Sequence, residues 1–244
     1  MQKTFTETFR LQSHQVDFNS RLKPGALLQM MQEMAGGHAE QLGIGHKLLL
    51  EKGLVWVLTR IEVQMARYPS FGEHLTIETF PMPNRRWFFP RYFVFRDEAG
   101  QQIGCASSMW VLLDVQQRRM CPPEAALPFI PDNSDLTAPM APPAAVAIAD
   151  GDPVCLTRLP LYSDLDMNGH VNNTRYLDWC CDALGVDTLK AQELSRFALN
   201  FNQEILPGQE TMSELRRAGD AFSFSGFVDG VRHFDVGGTL RPRL

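Results

Sequence analysis

One short pattern occurs twice in this chain, and it limits the possible architectures more than any other feature. Asp17-Phe18-Asn19-Ser20-Arg21 precedes one helix-like stretch and Asp166-Met167-Asn168-Gly169-His170 precedes another. The three shared positions (17 and 166, 19 and 168, 21 and 170) are each 149 residues apart. A length of 244 residues allows one large domain or two small ones. Two diverged copies of one strand–helix–sheet unit is the simplest arrangement that accounts for the repeat.

The pattern of elements recurs as well. Residues 4 to 17 alternate loosely as a strand running into a turn. From Pro24 to Leu42, apolar residues at Leu27, Leu28, Met31, Met34, Ala35 and Leu42 fit one helix face, with Gly43 just past its end. A short helix is expected over 46–52. Strand-rich segments follow at 54–65, 74–80, 87–96 and 103–115, separated by Pro- and Gly-containing turn signals. In the second half, 154–161 reads as a strand and 173–184 as a helix closed by Gly185. Further strands are expected near 196–206, 210–217, 221–228 and 231–240. Asp229-Gly230 marks a hairpin between the last two. Helices followed by runs of antiparallel strands give an α+β class. Seven of the sixteen prolines fall between 122 and 143, the composition of a linker. The expected division is 1–125 for the first domain, 126–150 for a Pro-rich linker and 151–244 for the second.

Composition narrows the function. A net charge of −5 offers no overall field for nucleic acid, and no basic segment suggests otherwise. The polar start lacks a signal-peptide core, and no apolar run reaches the roughly 20 residues of a membrane span, so a cytoplasmic protein is expected. Five cysteines, an odd number without CxxC spacing, point to reduced thiols, mostly small buried hydrophobes, rather than disulfides or zinc. Nothing in the sequence calls for a metal ion or a cofactor.

The copies differ where chemistry could occur. Asp-x-Asn can shape a turn through bonds to nearby backbone, and that structural role competes with a catalytic one for Asp166 and Asn168. The third position separates the copies more sharply. Arg21 stays protonated, whereas a neutral His170 can accept a proton. Only the second copy can therefore run acid–base chemistry there. A helix start just beyond His170 would favour a developing oxyanion, with the Asn168 amide as a further donor. Aligning Gly72 with Gly208 sets Tyr68 opposite Glu204, making Glu204 a second candidate, although a solvent-facing strand-end carboxylate reads the same way. No G-x-S-x-G elbow is present, and no serine or cysteine lies within these motifs, so a base-activated water is the simplest mechanism.

With these residues in place, the sequence resembles the acyl-acyl carrier protein thioesterases, plant plastid and bacterial. The likeness runs through Trp56-Val57-Leu58-Thr59-Arg60, Arg67 to Glu73 and Ser108 to Asp114. It continues through Asp164 to Asn173 and Tyr176. The resemblance implies a tandem (double) hot-dog, each a long helix wrapped by a curved antiparallel sheet, with a degenerate, acyl-binding first domain. It also implies catalysis by Asp166, Asn168 and His170, together with Glu204. Plant members carry a cysteine directly after that glutamate, where this chain has Ile205. The absence of a transit peptide suggests a bacterial-type, cytoplasmic member. The implied substrate is a fatty acyl chain on the phosphopantetheine of acyl carrier protein. Met30, Met31 and Met34 are candidates for an acyl tunnel, and Arg85, Arg86, Arg91, Arg118 and Arg119 for carrier docking. No nucleic acid or membrane partner is expected, and the chain would act as a monomer or homodimer. An acyl-CoA thioesterase, a hot-dog dehydratase and a non-catalytic acyl-thioester sensor are the alternatives.

Overall fold

The computed structural model describes residues 2–243. The chain forms two compact units. One comprises Met1–Leu22 with Leu27–Pro143, the other Lys23–Ala26 with Ala144–Leu244.

In the first unit, β1 (Phe5–Arg10), β2 (Leu54–Met65), β3 (His74–Pro81), β4 (Phe89–Arg96) and β5 (Gln102–Asp114) form an antiparallel sheet in the order β1-β3-β4-β5-β2. A short β6 (Arg119–Met120) pairs with the end of β5. The helix α1 (Pro24–Gln41) starts on a proline and ends where Gly43, at φ 76°, accepts the left-handed conformation that terminates helices. The six apolar positions expected to face the core, Leu27 through Leu42, are all buried. The second helix, α2 (His46–Glu51), is a single short stretch.

The second unit repeats the plan. β7 (Val154–Arg158), β8 (Gln192–Phe201), β9 (Thr211–Ala218), β10 (Ala221–Val228) and β11 (Val231–Pro242) lie in the order β7-β9-β10-β11-β8, the same order as in the first unit. Here α3 (Arg175–Leu184) is 10 residues against 18 for α1, and α4 (Val186–Ala191) follows Gly185 at φ 83°. Asp229 and Gly230 both adopt positive φ, as a two-residue type I′ hairpin requires. The core centres on Tyr176, stacked on Phe234 at 4.1 Å, with Trp179 edge-on at 5.6 Å. Each such buried side chain contributes about 1.5–3 kcal/mol.

Three sequence expectations change. The Pro-rich stretch does not lie between the units along its whole length, because residues 126–143 belong to the first unit. Ala126 is buried there, Leu136, Ala138 and Met140 cover Phe80, Tyr92 and Val94, and Asn133 donates to the carbonyls of Lys3 at 3.0 Å and Pro81 at 2.7 Å. Arg91 is 8% exposed and cannot serve as a surface docking residue. The cysteines are free, but only Cys105 and Cys180 are buried, and Cys155 is exposed on β7. Among the described residues no helix is long and apolar enough to cross a membrane.

Asn133 is the buried tie of this covering segment. Asn133→Ala leaves two carbonyls without their donor, which costs about 1–3 kcal/mol. We expect lower stability to urea and faster proteolytic cutting within 131–143. Unchanged values for both would mean that the segment is held by apolar contacts alone.

Candidate functional site

The repeated motif folds into the same turn in both units, and the aspartate closes it. The Asp166 Oδ1 accepts the backbone N–H of Asn168 at 2.8 Å and of His170 at 3.2 Å. The Asp17 Oδ1 accepts those of Asn19 at 2.8 Å and Arg21 at 3.0 Å. Backbone bonds reinforce each loop, Asp166 N–H to the His170 carbonyl and Asp17 N–H to the Arg21 carbonyl, both 2.8 Å. The fourth residue must be left-handed, so Gly169 lies at φ 79°, and Ser20 tolerates φ 58° at the matching place. Just upstream, Asp164 accepts Leu161 N–H at 2.8 Å as Gln15 accepts Gln12 N–H at 2.8 Å, and Asp164 is further held by the Trp179 indole at 3.2 Å.

The turn is pinned to a strand end. Val171 N–H donates to the Ile205 carbonyl at 2.9 Å, and Leu22 N–H donates to that of Pro69 at 3.0 Å. Residues 205 and 69 are 136 apart, as are Glu204 and Tyr68, and as are Gly208 and Gly72, both at φ 82°. The pairing of Tyr68 with Glu204 thus appears in hydrogen-bond register as well as in the glycine alignment. In the first unit the matching junction is antiparallel, with Arg21 bridged to Ser70, so the same register sets His170 opposite Leu206, with Glu204 two residues earlier on that strand end. Tyr176 lies beside them: burial pushes its phenol up, an Ile205 backbone hydrogen bond opposes this, and the carboxylates of Asp166 and Glu204 raise it further.

The side chains at the third position behave differently. In the first unit the Arg21 Nη1 donates to Ser70 Oγ at 2.6 Å and to the Tyr68 carbonyl at 3.3 Å, which occupies the guanidinium structurally. In the second unit the matching residues are His170 and, in place of Ser70, Leu206. The half-buried His170 imidazole makes no hydrogen bond to any described residue, while Glu204 and Asn168 are exposed and Asp166 is half-buried. The Asn168 amide reaches only a long 3.4 Å contact with Asp166 Oδ2.

Two further findings concern the surroundings. The helix α3 begins at Arg175, not next to His170, and Asn172 Oδ1 already accepts the N–H and the hydroxyl of Thr174, both at 2.9 Å. The first amides of that helix are therefore partly committed. Sequence reasoning also passed over His233. This buried residue accepts the Asn202 and Gln203 N–H groups through its carbonyl at 2.9 and 3.0 Å, and its Nδ1 lies 3.0 Å from the Glu204 carbonyl. A carbonyl only accepts, so Nδ1 carries the proton. The matching residue in the first unit is Ile103, whose carbonyl takes Ala66 and Arg67 N–H in the same way. A histidine where the other copy has isoleucine was the available signal.

Comparison with known proteins follows from this geometry. Residues 2–125 match the family model described as acyl-ACP thioesterase N-terminal domain, and residues 156–226 match its C-terminal domain. The chain is 28% identical to a chloroplastic palmitoyl-acyl carrier protein thioesterase of Gossypium hirsutum, over 82% of this chain and 52% of that one. It is 27% identical to oleoyl-acyl carrier protein thioesterase 2, chloroplastic, of Arabidopsis thaliana, over 82% and 59%. It spans little more than half the length of these relatives. Among solved structures, an acyl-ACP thioesterase from Bacteroides thetaiotaomicron superposes with a TM-score of 0.89 at 26% identity, covering 98% of each chain. The 12:0-ACP thioesterase from Umbellularia californica gives 0.84 at 23% identity with the same coverage and shares the fold. These matches make the two units hot-dogs.

The paired turns can be tested against each other. Asp17→Ala and Asp166→Ala each remove an acceptor for two N–H groups and should each cost about 1–3 kcal/mol in urea unfolding. A large loss for one and none for the other would show that the two carboxylates do different structural work.

Proposed function

The chain belongs to the acyl-ACP thioesterase family, and from that premise we propose that it hydrolyses fatty acyl-acyl carrier protein to free fatty acid and carrier protein. The reaction would end acyl-chain elongation in the cytoplasm. The observation that carries the reading is the contrast at the third motif position. Arg21 is locked onto the Tyr68 carbonyl and Ser70, whereas the His170 imidazole has no partner among the described residues and sits on the turn that Val171 N–H pins to the strand end carrying Glu204.

His170 and Glu204 hold a water, and His170 takes its proton as the oxygen attacks the thioester carbonyl carbon. The carbonyl π pair moves to oxygen, and the Asn168 amide donates to that oxyanion. Asp166 keeps the turn closed, so it orients Asn168 and His170 and need not exchange protons itself. When the tetrahedral adduct collapses, the C–S bond breaks and His170 returns the proton to the departing pantetheine sulfur. The products are a carboxylic acid and a thiol. Ile205 leaves no cysteine nucleophile directly after the acid. The acyl chain lies in the first unit along α1, where Met30, Met31 and Met34 are buried and can repack around it. Docking of the acidic carrier falls to exposed cations, Arg85 and Arg86 beside the exposed Trp87 and Phe88, and Arg118 and Arg119.

His170→Ala and Glu204→Ala should each lower kcat by about 10²–10⁴ while unfolding stays near wild type. Wild-type kcat in either variant would remove that residue from the mechanism. His233→Asn, which keeps a donor at the Nδ1 position, should retain turnover, whereas His233→Leu should lose about tenfold in kcat with little change in KM. Equal activity of the two would leave His233 a purely apolar role. Assays on acyl carrier protein and CoA thioesters of matched chains check the substrate: faster turnover of the CoA series would make this an acyl-CoA thioesterase.

A further inference from the structure

The first unit buries a cation, Arg91, among neutral partners. Arg91 on β4 is 8% exposed, and no carboxylate lies within ion-pair distance of it among the described residues. Its Nη1 donates to His38 Nδ1 at 3.1 Å and to Thr79 Oγ1 at 3.2 Å. Both partners are fully buried and neutral. The His38 Nε2 lies 3.2 Å from the Gln2 carbonyl and must carry the proton, which leaves Nδ1 to accept from Arg91. Burial, and then the Arg91 charge, push His38 down to about 4, so it stays uncharged near neutral pH. Thr79 sends its own proton to the Tyr92 carbonyl at 3.0 Å and is likewise only an acceptor here. Burial pushes Arg91 down to about 10, which leaves the guanidinium charged at neutral pH.

The buried acid nearest in the sheet register faces away. Arg91 pairs with Ser108 and Ser108 with Ile61, so these share one face, whereas Glu62 pairs with Ser107 and points to the other. Taking a charge out of water without a counter-ion is unfavourable. The Nε and Nη2 donors of Arg91, adjacent on one edge of the guanidinium, have no hydrogen-bond partner among the described residues. That edge is the fork which takes a carboxylate with two parallel bonds.

The cluster also has a definite place on α1. Met31, Met34 and His38 follow at i, i+3 and i+7 and share a helix face. Met31 and His38 are therefore roughly 10 Å apart along the axis. A plain hydrocarbon that slid along the methionines would end against the guanidinium and offer it no acceptor, whereas an oxygen acceptor there would take the Nε and Nη2 donors.

We propose that His38, Thr79 and Arg91 form a terminal subsite of the acyl-binding face, which takes a chain whose far end carries an oxygen acceptor, a carboxylate above all. This rests on the reading of the first unit as the acyl-binding one. The full-length protein is titrated calorimetrically with two series of acids of graded length, monocarboxylic and α,ω-dicarboxylic, while thioester hydrolysis is followed in parallel. At the best length the diacid should bind at least tenfold more tightly than the monoacid, and an ω-hydroxy acid should fall between them. Arg91→Met should bring the diacid to the monoacid's affinity and leave the monoacid within threefold. Thr79→Val keeps the charge but removes an acceptor that aims it; it should narrow the difference even if Arg91→Met fails to fold. Equal binding of the two series at every length, equal weakening of both by Arg91→Met, or no binding of either would overturn the subsite. Cleavage of plain acyl thioesters without discrimination of diacids would sink the subsite alone. Arg91-dependent diacid binding without any thioester cleavage would support the subsite and sink the enzymatic reading.

Discussion

The aspartate that accepts two backbone N–H groups across a five-residue turn is the interaction on which the rest of each unit depends. A carboxylate oxygen holding the residues two and four positions ahead fixes where the last side chain of the motif points. The bond from the next residue to a strand end then sets that side chain against the far strand. Neither contact depends on whether the third residue is arginine or histidine. The same turn can therefore present an arginine tied to its surroundings in one unit and an imidazole without a described partner in the other.

The surroundings of His170 fit this division. In the first unit the serine and the carbonyl that face the motif's third residue engage its Nη1. In the second, leucine replaces the serine, and the buried His233 donates to the carbonyl of Glu204. The strand end that carries Glu204 is thus held from its own sheet, without drawing on the His170 imidazole. The buried aromatic group of Tyr176, Trp179 and Phe234 lies beneath, and Asp164 ties the loop before the motif to that group through the Trp179 indole.

Much of this could be read from the residues themselves because the decisive contacts are local. Asx-type turns, the glycine that ends α1 and the Asp229-Gly230 hairpin follow from backbone preferences over a few residues. The doubled motif made one prediction serve for both halves. What stayed hidden depended on distant parts of the chain. Arg91 reads as one more surface cation in a strand pattern, yet α1 closes over it and supplies an imidazole from 53 residues away. His233 sits in an ordinary strand, and only the folded register brings it to Glu204. The helix α3 starts at Arg175, after a turn in which the Asn172 side chain accepts the Thr174 amide.

The spacing between the two fixed points differs between the copies. From Arg21 to Tyr68 the chain runs 47 residues, and from His170 to Glu204 it runs 34 (204 less 170), with α1 spanning 18 residues against 10 for α3. The length between turn and strand end thus differs by 13 residues (47 less 34), while both junctions have the same form. The side chain presented at the turn and the length of chain behind it are therefore separable traits in this architecture: one changes by exchange of a residue, the other by adding or removing helical turns.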